Sequence, residues 1–116
     1  MNARAMLLCF AIAGIPLPAM AHAFVERPSP AAGENLRRSP AKVEMHFSET
    51  LESVFSTITV TDMKGRDMAG GVAVTHGSEM DLPLRTLAPG RYRVSWHAVS
   101  IDTHRTEGKY DFQVLP

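Results

Sequence analysis

Apolar and polar positions alternate along most of the chain from Lys42 to Val114. In "KVEMHFS", Val43, Met45 and Phe47 fall on one face of an extended segment, and Glu44, His46 and Ser48 on the other. "STITVTDMKGRDM" repeats the pattern, with Ile58, Val60 and Asp62 in phase between threonines, then a turn at Lys64-Gly65. "GGVAVTHGSEMDLPL" reads as two short extended pieces about a turn at His76-Gly77. After a turn at Ala88-Pro89-Gly90, Tyr92, Val94, Trp96 and Ala98 share one face, and the last strand points Tyr110, Phe112 and Val114 inward. Residues 26–42 hold three prolines and one glycine and have no helical period, so they predict an extended lead-in and loop. The best helical stretch is a single turn around Ser48 to Ser53. Short strands rich in valine, threonine and aromatics, punctuated by turns about every ten residues, predict a small all-β sandwich or barrel.

The first 21 residues break this pattern. Arg4 precedes an apolar run from Ala5 to Leu17, and small residues follow at Ala19 and Ala21, the arrangement of a secretory signal peptide. The run falls short of the roughly 20 apolar residues a membrane span needs. Two processing signals overlap, Ala19-Met20-Ala21 before His22 and Ala21-His22-Ala23 before Phe24. Cleavage at the first leaves residues 22–116 as one domain, large enough to fold around its own core. The only cysteine, Cys9, leaves with the peptide, so the secreted chain has neither a disulfide nor a thiolate metal site. Charge is balanced at 12 basic and 12 acidic residues, which points away from nucleic acid and anionic membranes as partners.

No nucleophile elbow, phosphate loop or dinucleotide fingerprint occurs, so the chemistry lies with five histidines, seven methionines and the carboxylates. In "SIDTHRTEGKY", Asp102 and His104 are two apart, and an extended backbone points both to one side. Such a dyad either shares a metal or is a plain hydrogen-bonded pair. An N-terminal His22 would add two nitrogens, its amine (pKa about 8) and its imidazole (about 6.5), both available to a metal near neutral pH. Three nitrogens and an oxygen in tetragonal array suit Cu(II), while zinc takes the same donors tetrahedrally. His46 and His97 alternate outward and read as structural groups. Trp96, Tyr92 and Phe112 read as core.

The segments "HAFVERPSPAAGE", "PAKVEMHFSETLE" and "APGRYRVSWHAVSIDTHRTEGKYDFQV", in this order and spacing, resemble the CopC/PcoC family of periplasmic copper-binding proteins over nearly the whole secreted length. The resemblance implies a Greek-key barrel or sandwich of about seven strands, cupredoxin-like or immunoglobulin-like in shape. It implies one Cu(II) per monomer, held by His22 through amine and imidazole, His104 through imidazole and Asp102 through its carboxylate. Glu49, which follows "HFS", is implied as a weak ligand or a group holding a ligand in place. Arg105 stands where the family often has proline after the D-x-H histidine. The resemblance also implies residence in the periplasm as a monomer and an inner-membrane partner of the CopD type. Some members bind Cu(I) through a loop dense in methionine and histidine. Here Met63, Met68, His76 and Met80 are spread too thinly for such a cluster and read as gap-fillers.

A second reading is a histidine-brace copper monooxygenase, which also uses an N-terminal histidine. Against it stand the short chain, the lack of an aromatic surface for polysaccharide and a carboxylate beside the metal. A third is a metal-free β-sandwich interaction module, disfavoured by the combination of His22, Asp102 and His104.

Overall fold

The computed structural model describes residues 25–116. The signal segment, both cleavage signals and His22 lie outside the described residues.

Eight strands form two four-stranded sheets packed face to face. They are β1 (Val25–Ser29), β2 (Asn35–Leu36), β3 (Lys42–Phe47), β4 (Thr57–Asp62), β5 (Val74–His76), β6 (Glu79–Pro83), β7 (Gly90–Val99) and β8 (Arg105–Val114). One sheet has the order β1-β3-β6-β5 and the other β2-β8-β7-β4. The all-β sandwich expected from the alternation is therefore the fold. The lead-in is more ordered than its prolines suggest. It supplies β1, antiparallel to β3, and the two-residue β2, parallel to β8.

Alternation places the core between the sheets. Val43, Met45 and Phe47 of β3 with Met80 and Leu82 of β6 face Ile58, Val60, Tyr92, Val94, Trp96, Ala98, Phe112 and Val114 of the other sheet, and all are buried. Tyr92 and Phe112 are cross-strand partners and stack with ring centroids 5.6 Å apart. Trp96 lies over Gly108, its partner on β8, and a Cβ at 108 would overlap the indole. Asp62 does not join this layer. It accepts hydrogen bonds from the backbone N–H groups of Lys64 and Arg66 and from the Arg66 guanidinium, and so pins the turn at Gly65, whose φ is 78°.

The one helical turn falls at Ser53–Phe55, later than the sequence predicts. The segment before it is held extended by long-range bonds: Leu51 N–H donates to Gly77 and Glu52 N–H to Val99. In return, Ile101 N–H donates to Thr50. These bonds tie the chain after β3, the β5–β6 turn and the β7–β8 turn into one end of the sandwich. Among the described residues no helix is long and apolar enough to cross a membrane.

Candidate metal centre

That end of the sandwich carries the residues singled out in "SIDTHR". β7 finishes at Val99, and a tight turn leads into β8: Thr103 N–H donates to the Ser100 carbonyl at 2.9 Å, and Ser100 N–H to the His104 carbonyl at 2.9 Å. Thr103 has φ 68°, a left-handed conformation that costs a β-branched residue about 1–3 kcal/mol. Asp102 and His104 do come together, but not by the extended i, i+2 geometry expected of them. Asp102 sits within the turn, and the left-handed Thr103 swings the chain between them.

Glu49 joins them from 55 residues away. Its two oxygens each lie 3.2 Å from His104 Nδ1. One donor atom from each of Glu49, Asp102 and His104 falls within 4.8 Å of the others. Glu49 is half-buried, whereas Asp102 and His104 are exposed. A hydrogen bond from Ser100 and a second from His104 hold the Glu49 carboxyl below its usual range. Ser100 is the residue that sequence reasoning missed. It is 1% exposed, its Oγ accepts from His104 N–H at 3.2 Å, and its hydroxyl serves Glu49, so one side chain positions both.

Val25, the first described residue, is the Cα partner of Phe47 in an antiparallel pair, so β1 begins beside the segment that carries Ser48, Glu49 and Thr50.

Among the described residues, the other histidines and the methionines are not part of this cluster; His76 ends β5 as the Cα partner of Glu79. His97 Nδ1 pairs with the Phe55 carbonyl at 3.1 Å and fastens the helical turn. His46 is half-buried, with Nε2 2.7 Å from Glu44 Oε1. Met80 is fully buried in the core, Met68 packs against it, and Met63 is 62% exposed in the turn after β4. Exposed Phe55 and Ile101 line one groove with Ser100 and Thr103 of the Asp102 turn, and Val54, next to Phe55 in the chain, is also exposed.

Grouped carboxylates and an imidazole at an open end can hold a divalent transition ion. Comparison with known proteins gives the family. The CopC domain family model matches residues 25–115. Copper resistance protein C of Escherichia coli is 35% identical, covering 96% of this chain and 95% of that protein. Copper resistance protein C of Pseudomonas syringae pv. tomato is 38% identical over 83% of this chain and 82% of its own length. The crystal structure of CopC from Methylosinus trichosporium OB3b superposes with a TM-score of 0.74 at 32% identity, covering 80% of this chain and 93% of that one. By sequence along its whole described length and by fold, the chain belongs to the CopC family.

Proposed function

We propose that the protein is a secreted, periplasmic copper carrier that binds one Cu(II) at the end of the sandwich bearing Glu49, Asp102 and His104. The ligands are the amine and imidazole of His22 after cleavage at Ala21, the His104 imidazole and the Asp102 carboxylate, with Glu49 holding or completing the set. One observation carries this reading: Glu49 and the Asp102–His104 turn, remote in sequence, converge at the end of the sandwich where β1 begins, three residues after His22 in sequence. Family membership supplies the metal, since the relatives matched are copper resistance proteins. Only nitrogen and oxygen donors are on offer, and three nitrogens with carboxylate oxygen favour Cu(II) over softer Cu(I).

Binding and delivery fit better than catalysis. In the proposed site the Asp102 carboxylate would take a position that an oxygen-activating copper keeps open. The apolar side chains of Val54, Phe55 and Ile101 beside the cluster suit hand-over by direct contact with an inner-membrane transporter of the CopD type.

Paramagnetic resonance of the secreted protein tests the reading. One equivalent of Cu(II) should give a type-2 spectrum with nitrogen splittings. A spectrum without nitrogen coupling, or failure to retain one equivalent against a chelator, would remove the proposed site.

A further inference from the structure

The outer face of the β1-β3-β6-β5 sheet carries a second group of donors. His46 is the Cα partner of Glu79, and Glu44 that of Asp81, so these four side chains occupy adjacent rungs on the face opposite the core. Donor atoms of Glu44, His46 and Glu79 lie within 4.8 Å of one another, and all three residues are half-buried.

Carboxylates outnumber cations here. Arg27 and His76 stand beside the group as the Cα partners of His46 and Glu79, and Lys42 places its Nζ 3.0 Å from Glu44 Oε2 and 3.7 Å from Asp81 Oδ2. Lys42 therefore occupies one side and leaves Glu44 Oε1, His46 Nε2 and the Glu79 carboxylate together. Beside them, Asp81 Oδ1 is shielded from solvent, and the Asp81 carboxylate is tied to Glu79 by a hydrogen bond and to Lys42 by an ion pair. The crowding acts on Glu79, whose carboxyl is pushed up by burial, then by the charge of Asp81 and a hydrogen bond with it, and then by the charge of Glu44. Glu44 is held in place on two sides, by His46 Nε2 at 2.7 Å and by Lys42 Nζ at 3.0 Å. One imidazole nitrogen with crowded carboxylate oxygens is a donor set for a borderline divalent ion.

We propose that Glu44, His46 and Glu79 form a second metal site, selective for divalent ions of the Cu(II) and Zn(II) class and separate from the cluster at the sandwich end. It has one nitrogen donor and no chelating terminus, so it fills after the first. Binding takes the His46 ring through Nε2 and replaces its hydrogen bond with Glu44 Oε1. Asp81 and Lys42 position the carboxylates.

Diamagnetic Zn(II), titrated into the purified secreted protein carrying His104→Ala, tests this. One saturable equivalent should shift the His46 ring-proton resonances. Adding Glu79→Gln, or in a separate protein His46→Gln, should weaken that uptake at least tenfold. The His46 resonances also report directly on protein unsubstituted on this face, so the test survives a variant that misfolds. Uptake that leaves those resonances unmoved, uptake that neither substitution weakens, or no saturable uptake would each overturn the site.

Discussion

The two donor clusters are built in opposite ways. Glu44, His46 and Glu79 stand on alternate rungs of a regular ladder, half-buried, their spacing set by strand register. Glu49, Asp102 and His104 come from a post-strand segment and a turn with a left-handed threonine, and two of the three are exposed. A ladder offers fixed geometry, whereas a turn offers access and a place for a free terminus to enter. The second arrangement suits a metal that must arrive and leave.

The largest expected effect breaks the terminal cluster alone. One extra residue before His22 turns its amine into an amide nitrogen, which binds copper readily only after losing a tightly held proton. Loss of the chelate should weaken Cu(II) binding by orders of magnitude, measured against a competing chelator, since metal chelation contributes several kcal/mol. Uptake of Zn(II) at Glu44, His46 and Glu79 should not change. Equal Cu(II) affinity with and without the extra residue would show that the amine is not a ligand.

Next, His104→Ala should weaken Cu(II) binding more than Asp102→Ala, and both more than His97→Ala, because imidazole is the stronger Cu(II) ligand and His97 is engaged with Phe55. A chelator competition that ranked His97 first would move the site to the other face of β7.

Gly108→Ala addresses the scaffold under both clusters. Its Cβ would strike the Trp96 indole, and overpacking of this kind costs about 1–3 kcal/mol. Denaturant unfolding should show that loss, with the order of metal affinities at the two clusters unchanged in the folded protein. The smallest change sharpens the contrast between turn and ladder. Asn tolerates the left-handed region better than Thr, so Thr103→Asn should raise stability by about 0.5–1 kcal/mol, seen as a melting temperature a few degrees higher. A fall in stability would mean that the Thr103 side chain supplies more than its backbone conformation costs.

The same contrast explains what the sequence disclosed. Alternation at Val43, Met45 and Phe47 and from Tyr92 to Ala98 marks strands because period two is a local property. β2 was illegible, since two residues paired in parallel to β8 carry no period. The pair Asp102 and His104 was legible as chemistry but not as geometry. The left-handed Thr103 is imposed by bonds among Ser100, Thr103 and His104 that residue spacing does not encode. His46 read as a structural histidine because Glu79 becomes its neighbour only through the β3–β6 register. The sole local trace was Glu44 and His46, two apart on the polar face.

β1 is an edge strand, bonded to β3 on one side only, and the proposed ligand His22 lies just upstream of it. Edge strands near a terminus are the first segments to fray. In the proposed complex the ion ties that terminus to the Glu49 segment and to the β7–β8 turn, acting as a removable clasp on the strand. Copper release then becomes a local opening event. Amide exchange in β1 and at Phe47 should slow when the ion is bound and quicken when it leaves, so that the edge of the sheet registers whether the carrier is loaded.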